Sequence, residues 1–512
     1  MGIGPAGLAL GLALALLPAP RARAAPDYAE HVVALSITAQ GWDARRPWAK
    51  LPPAPLVASA VVVEGPLLLT RAQMVADATL IEVEKRGSAQ LSAARVVHVD
   101  PEVDLALLAV DLPGFFDDLE PVAIAEGAPI EGSVESVRWE KRQLEVSTSR
   151  VSRIEVRASR YGTLDHAFLL LRSDLESGGW AEPVFRRGRL IGLTTSQQQQ
   201  HASAIPAEIL AAYVKAARAP ERYGGFASLG IVWQNNRDEA LAKYLGWSGA
   251  PRGVLLRDVR PESTADGVLA PRDILLELDG HPIDAIGNYR HPRYGRLGLA
   301  HLPLDGHRPG DVLRARVWRD AREVEVELTL RRYAAEARRI PWRRENLAPA
   351  YLVAGGLVFR ELDGDYLRAW GPNWSGLAPG ELVFRYHLDA HSQKRPGERV
   401  VILSQVLADA YNIGYHDVGE LCVREVNGRR IDSIAALAEA FQQPEGDYHT
   451  VVFDPNGVRS QIVLDAALFE PASQRIARAY GVPAPARLAP EPSGLARAVP
   501  APVSLAPPAD PR

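Results

Sequence analysis

A chain of 512 residues is too long for one ordinary hydrophobic core, so several domains of roughly 100–200 residues each are expected. Its hydrophobic share of 47% and charged share of 23% exclude a disordered or collagen-like chain. A formal net charge of −4, from 58 Lys+Arg against 62 Asp+Glu, excludes the single-sign field that non-specific nucleic-acid or anionic-membrane binding needs. The chain opens with the apolar run Leu8–Leu17, then Pro18 and a small-residue site Ala22-Arg23-Ala24, the pattern of a signal peptide over residues 1–24. Export to the periplasm or medium is therefore expected, although Arg21 and Arg23 follow the apolar run where such signals carry their charge ahead of it. The run is shorter than the roughly 20 residues a membrane span needs, and no later segment is long and apolar enough.

From Leu56 to Thr195, short runs rich in Val, Ile and Leu alternate with Gly, Pro and charged turns: 56–63, 67–70, 80–84, 93–99, 105–110, 134–138, 144–156, 166–171 and 189–195. These are strand signals. A helix signature follows at Pro206–Val214, so an all-β domain closed by one helix is expected over residues 27–220. The tract Gln197–Gln200 is read as a solvated loop.

Two later stretches repeat one plan. The first runs Leu229-Gly230-Ile231-Val232, then Gly253–Val259, then Asp273–Gly280; the second runs Gly355-Gly356-Leu357-Val358, then Val400–Val406, then Glu420–Gly428. Modules are expected over residues 225–333 and 345–470, each ending in a helix-prone stretch and a strand pair. The helix of the first is placed in Arg296–Leu302, and an insert from Asp363 to Glu398 lengthens the second. The only cysteine, Cys422, lies in Leu421-Cys422-Val423 and is read as a buried thiol. A single cysteine excludes an intramolecular disulfide and a Cys-based zinc cluster; no metal or other cofactor is expected. Residues 471–512, rich in Ala and Pro, are expected to be an extended tail.

Several blocks resemble the HtrA/Deg proteases. Leu68-Leu69-Thr70-Arg71-Ala72-Gln73-Met74-Val75 is similar to the block bearing that family's catalytic histidine, with Gln73 in the histidine slot. Asp100–Leu108 is similar to the block bearing its aspartate, with Asp104 in place. Ser177-Gly178-Gly179-Trp180-Ala181-Glu182-Pro183 resembles the nucleophile block. Matched on Gly178 and Pro183 it puts Trp180 in the serine slot, and a rival placement makes Ser177 the nucleophile. Serine catalysis needs a hydroxyl, an imidazole base and backbone N–H groups for the oxyanion. Neither a glutamine amide nor an indole supplies those functions, and Glu182 stands where the family has a glycine. His98 and His166, the histidines that a substitute base would have to come from, are read as strand-surface residues.

The two repeats resemble PDZ domains, in which a glycine-bearing loop meets a peptide's terminal carboxylate and the peptide adds as a strand to the sheet edge. On that resemblance Leu229, Gly230, Ile231 and Val232 are the peptide-binding residues of the first module, and Gly355, Gly356 and Leu357 hold the matching place in the second, which is read as a self-docked module with a filled groove. Tyr351–Phe359, Val401–Asp409 and Val426-Asn427-Gly428 look like blocks of the plant-type Deg branch. The resemblance implies a mainly β protein: a degenerate trypsin-like double β-barrel followed by two α+β PDZ domains. It implies peptides or unfolded proteins with free C-termini as partners, and assembly into homo-oligomers or with active relatives; the aromatic N-terminal segment with Tyr28 and Trp42 could serve such contacts, but packing on the chain's own barrel is the preferred reading. The leading expectation is a non-catalytic pseudoprotease acting in quality control. The alternatives are an endopeptidase using Ser177 and a regulatory subunit of active Deg proteases.

Overall fold

The alternating apolar residues of the first 200 positions close into two barrels. In the computed structural model, which describes residues 28–495 apart from 87, 89, 141–142, 160, 176, 248, 333–334, 336–337, 392–394, 396 and 456–458, the first barrel is built from β1 (Val32–Ala39), β2 (Ala54–Val63), β3 (Leu67–Thr70), β4 (Ala78–Glu84), β5 (Ser92–Asp100) and β6 (Leu105–Val110). A short helix α1 (Ala72–Val75) follows β3. The second barrel comprises β7 (Gly132–Glu140), β8 (Gln143–Ala158), β9 (Asp165–Ser173), β10 (Pro183–Arg186), β11 (Arg189–Gln198) and β12 (His201–Pro206), closed by helix α2 (Ala207–Ala217). Strand orders are β1-β2-β3-β6-β5-β4 and β10-β11-β12-β9-β8-β7, and closure leaves neither barrel an open edge. The expected signal peptide lies outside the described residues.

The barrels share a core. Val32, Leu69, Leu105 and Leu107 of the first pack with Phe185, Leu190 and Ile205 of the second and with Tyr213 and Val214 of α2. Tyr28 stacks on Phe185 with centroids 4.3 Å apart and bonds Glu135, and Trp42 Nε1 donates to Ser493 Oγ at 3.3 Å. The N-terminal aromatics are thus engaged within the chain. The glutamine tract forms the end of the β11–β12 hairpin, and Gln197 is tied to the Leu175 carbonyl.

The first module is a sheet of β13 (Ile231–Asn235), β14 (Val254–Val259), β15 (Ile274–Leu278), β18 (Val312–Arg319) and β19 (Arg322–Thr329), in that order, with β13 at the edge. A separate hairpin, β16 (Asn288–His291) and β17 (Gly295–Gly298), leads into a 3₁₀ helix, Leu299–Leu304. The α-helix expected over 296–302 is therefore replaced by a strand and a tighter coil. Pro303 supplies no N–H to close an α turn, and Gly298 is extended at the junction. This module docks on the second barrel: Gly298 sits where a Cβ would lie 3.3 Å from Val156, and Tyr294 Oη accepts from Ala128 N–H at 3.1 Å.

The second module orders its strands β25-β24-β23-β22-β21-β20-β26, where β20 is Tyr351–Ala354, β21 Leu357–Glu361, β22 Val401–Val406, β23 Leu421–Val426, β24 Tyr448–Phe453, β25 Gln461–Asp465 and β26 Ala486–Arg487. Its insert is helical: α3 (Gly364–Arg368), α4 (Trp374–Leu377) and α5 (Gly380–Leu388). Asp363 caps α3 by accepting from Tyr366 N–H at 2.7 Å, and Tyr366, Leu382 and Tyr386 pack the insert against Ile402 and Cys422 of the sheet. Helix α6 (Ile434–Ala440) lies over the sheet.

The extended tail expected from residue 471 does not begin there. Helix α7 (Ala466–Ala479), capped by Asp465, runs through Pro471. Its Ala472 and Ile476 are buried against Tyr351 and Val358. Beyond it β26 pairs with β20, and Ser493 N–H donates to the Asn346 carbonyl at 2.7 Å. Strand accounts for 42% of residues and helix for 17%, so the protein is mainly β. No helix among the described residues is long and apolar enough to cross a membrane.

Candidate functional site

The sequence places Gln73, Asp104 and Trp180 at one cleft, and the structure brings their segments together between the barrels. Gln73 rides on α1 and its backbone N–H donates to Asp104 Oδ1 at 2.8 Å. The other carboxylate oxygen takes Arg71 Nε at 2.7 Å and Nη2 at 2.5 Å. Arg71 also donates Nη2 to Gln73 Oε1 at 2.7 Å and Nη1 to the Gly179 carbonyl at 2.5 Å. One guanidinium thus ties the aspartate, the glutamine and the nucleophile loop of the opposite barrel. Arg71 and Asp104 are buried at 2% and 1% exposure. Burial pushes the Asp104 carboxyl up, and the Arg71 guanidinium and the Gln73 N–H pull against it. A guanidinium stays protonated at all working pH values and takes no proton from a hydroxyl.

Glu182 lies in the same loop as Gly179 and Trp180. Its Oε2 accepts the backbone N–H of Gly179 at 2.8 Å and of Trp180 at 3.0 Å, together with the Thr194 hydroxyl. Adjacent N–H groups in a nucleophile loop are the donors a tetrahedral oxyanion needs; here a carboxylate of the chain already holds them. The loop is bent to suit, with Gly179 at φ +100° and Ala181 at φ +64°. Gly179 is required there, because a Cβ would fall 2.7 Å from Ser196 Cα. Trp180 stands 42% exposed at the cleft mouth, its carbonyl accepting from Ser59 N–H at 2.9 Å.

Ser177 has no imidazole bonded to it among the described residues; its carbonyl accepts from Arg138 Nη1 at 3.0 Å. The two histidines expected on strand surfaces are instead buried, His98 at 7% and His166 at 0% exposure, and neither is bonded to Ser177 among the described residues. His98 Nδ1 meets Tyr213 Oη at 3.1 Å and its ring packs 4.1 Å from Tyr223, while His166 faces His301 of the first module. Sequence reasoning missed Arg71 as the cleft's central cation. The available signal was a single charged residue inside the otherwise uncharged run 67–76, two positions before the glutamine.

The first module presents a different surface. Leu229, Gly230 and Ile231 line a cavity of about 140 Å³ with Ser228, Trp233 and Arg260, walled by Leu299–Ala300 of the 3₁₀ helix and by Thr163–Asp165 of the second barrel; Val232 follows within edge strand β13, paired to Asp258. Gly230 has φ +69°, and a Cβ there would overlap the Ser263 side chain. Only glycine fits that turn.

In the second module Gly355 and Gly356, at φ +59° and +83°, make a two-residue hairpin turn between β20 and β21, with Ala354 opposite Leu357. Glycine pairs suit such turns. The edge of β21 that a peptide would join is occupied by β20. Gly355 N–H is taken by Ser473 Oγ at 2.8 Å, the Gly355 carbonyl by Asn412 Nδ2 at 3.0 Å, and Leu357 is fully buried. Gly355, Gly356 and Leu357, carried over as peptide-binding positions, instead form a sealed hairpin turn. A cavity of about 470 Å³ remains beside it, lined by Leu352, Ala354, Phe441 and Phe469.

Glu381, Cys422 and Asp454 bring potential ligand atoms within 4.8 Å of one another. Arg385 already supplies the positive charge, at 2.8 Å from Asp454 and 3.4 Å from Glu381. Burial pushes the Cys422 thiol up, away from the thiolate that binds metals, so the cluster does not fit a metal ion.

Comparison with known proteins matches residues 340–487 to a PDZ domain. The chloroplastic protease Do-like 2 of Arabidopsis thaliana is 26% identical over 460 residues, covering 88% of this chain and 74% of that protein. The putative mitochondrial protease Do-like 3 of the same plant is 26% identical over 404 residues, 78% of this chain and 69% of its own. Among solved structures, the HtrA-type protease AlgW with a decapeptide aligns at 20% identity and a TM-score of 0.45, covering 60% of this chain and 96% of that one.

Proposed function

From a chain whose homologues are Deg/HtrA proteases and which carries a PDZ domain, we propose an exported pseudoprotease that binds peptides or unfolded chains by their C-termini through its first module. The observation that carries the reading is the state of the cleft. Arg71 and Glu182 hold the groups that catalysis would leave available: the aspartate is ion-paired and the two loop N–H groups are bonded to a carboxylate. The histidine and serine slots hold Gln73 and Trp180. Loss of either the serine or the histidine in the subtilisin triad costs on the order of 10⁶ in turnover, and on the placement that puts Trp180 in the serine slot both are replaced here.

Binding falls to the first module because edge strand β13 has no further strand on its outer side among the described residues, while the matching edge of the second module is filled by β20. An unpaired edge beside a glycine turn accepts a peptide as an added strand, with its terminal carboxylate at the turn. The test is a fluorescence titration of the full chain with a peptide ending in a free apolar residue and with its C-terminal amide. The free acid is expected to bind at least about tenfold more tightly, the equivalent of roughly 1.4 kcal/mol; equal affinity would refute the mechanism.

A further inference from the structure

Two histidines are sealed between the second barrel and the first module, each one residue beyond a wall of the peptide cavity. His166 follows Asp165 on β9, and His301 follows Ala300 on the 3₁₀ helix. They are 0% and 4% exposed. His166 Nδ1 lies 2.8 Å from the Ala167 carbonyl, which makes it the donor and leaves Nε2 as the proton-accepting nitrogen. Among the described residues that Nε2 is buried without a hydrogen-bond partner, and so is His301 Nδ1. A proton added to either has no acceptor waiting for it in the docked arrangement, and water is reached only if the surfaces part.

The surrounding charges are few. Arg157 of β8, over the Phe168 ring at 4.8 Å, faces His166 and opposes its protonation, as does His301. His301 faces Asp305, which favours its proton, and His291, which opposes it. His291 is itself engaged: Nδ1 accepts from Arg293 and Tyr294 N–H at 3.0 Å each, and Nε2 lies 3.1 Å from Asp305 Oδ2, with His281 and Arg293 also near.

We propose that His166 and His301 form a proton-sensitive latch: proton uptake parts the first module from the second barrel, withdraws the Thr163–Asp165 wall and opens edge strand β13 to a peptide C-terminus. The proposal rests on the reading of that groove as the peptide site. The cavity, about 140 Å³ with the Thr163–Asp165 wall in place, is small for a peptide end, so docking of that wall and binding compete. Burial first of all lowers both rings from the ordinary 6.5 to about 4. A histidine whose pKa is lower docked than parted stabilises docking fully above 6.5, and that stabilisation is lost as pH falls from about 6.5 toward 4.

The experiment titrates the full chain with the free-acid peptide from about pH 7.5 to about pH 4.5, the range that histidines shifted by burial cross, and follows the radius of gyration by small-angle scattering. Wild type is expected to gain about tenfold in affinity on acidification, equivalent to one pKa unit of coupling, and to expand. The double variant His166→Asn/His301→Gln, which keeps hydrogen-bonding amides and takes no proton, is expected to show a flat profile. Asp305→Asn, alone, is expected to move the midpoint to lower pH and serves if the double variant does not fold. Superposable profiles for wild type and either variant, or expansion only on loss of circular-dichroism signal from the whole fold, overturn the latch. Binding of the free acid without pH dependence overturns the latch alone; equal binding of acid and amide at every pH removes the groove reading beneath it.

Discussion

In the cleft between the barrels, Arg71 closes on Asp104, Gln73 and Gly179, and Glu182 closes on the N–H groups of Gly179 and Trp180. In the groove of the first module, strand β13 lies at the edge of its sheet, and the neighbouring histidines keep nitrogens without partners among the described residues. Both places use glycine turns and buried polar groups. They differ in which groups are satisfied: in the cleft the Asp104 carboxylate and the loop N–H groups of Gly179 and Trp180 are bonded within the chain, although Glu182 Oε1 has no partner among the described residues. A site does chemistry or binding with groups its own fold leaves available, and the proposed function rests on that measure: the cleft as structure, the groove as the working surface.

The largest effect should come from breaking the cleft's ion pair. Arg71→Ala leaves Asp104 buried without its cation and is expected to cost about 3–5 kcal/mol in urea unfolding; a loss below about 1 kcal/mol would mean that the pair does not hold the barrels together. Gly230→Ala forces a side chain onto Ser263 from a left-handed backbone. It should cost about 1–3 kcal/mol and abolish free-acid peptide binding, while Gly356→Ala in the sealed hairpin, which would run into Asn412 Nδ2, should affect stability and leave peptide affinity unchanged. Glu182→Gln exchanges charge-assisted for neutral hydrogen bonds and is expected to lose about 1–2 kcal/mol. Trp180→Ala, at a half-exposed position on the cleft mouth, should change stability by no more than about 0.5 kcal/mol; a larger loss would make the indole part of the packing.

Much of this contrast is legible in the sequence. The period-two runs mark the barrel strands, and Gln73, Asp104, Trp180 and Leu229–Ile231 sit in recognisable blocks because their chemistry is tied to local spacing. Arg71 is harder to read, since its partners Asp104 and Gly179 lie 33 and 108 residues away, whereas Glu182 stands out in its block because the N–H groups it holds are two and three residues away. Strand β20 carries a local signal, apolar residues ahead of Gly355-Gly356, but its place beside β21 follows from the hairpin register. The wall of the first groove reads as a helix because apolar spacing in 296–302 outweighs Gly298 and Pro303 when only the sequence is in view. The second module reads as ending too early, at Pro471, whereas the Asp465 cap and the burial of Ile476 carry α7 past that proline.

The central claim is that the cleft no longer performs serine catalysis. Its most direct test is hydrolysis of unfolded casein by the purified full chain, run beside Ser177→Ala and with a serine-directed phosphonate followed by intact mass. The account predicts no turnover and no mass added in either protein. Turnover or labelling that disappears in Ser177→Ala would contradict it and restore Ser177 as a nucleophile.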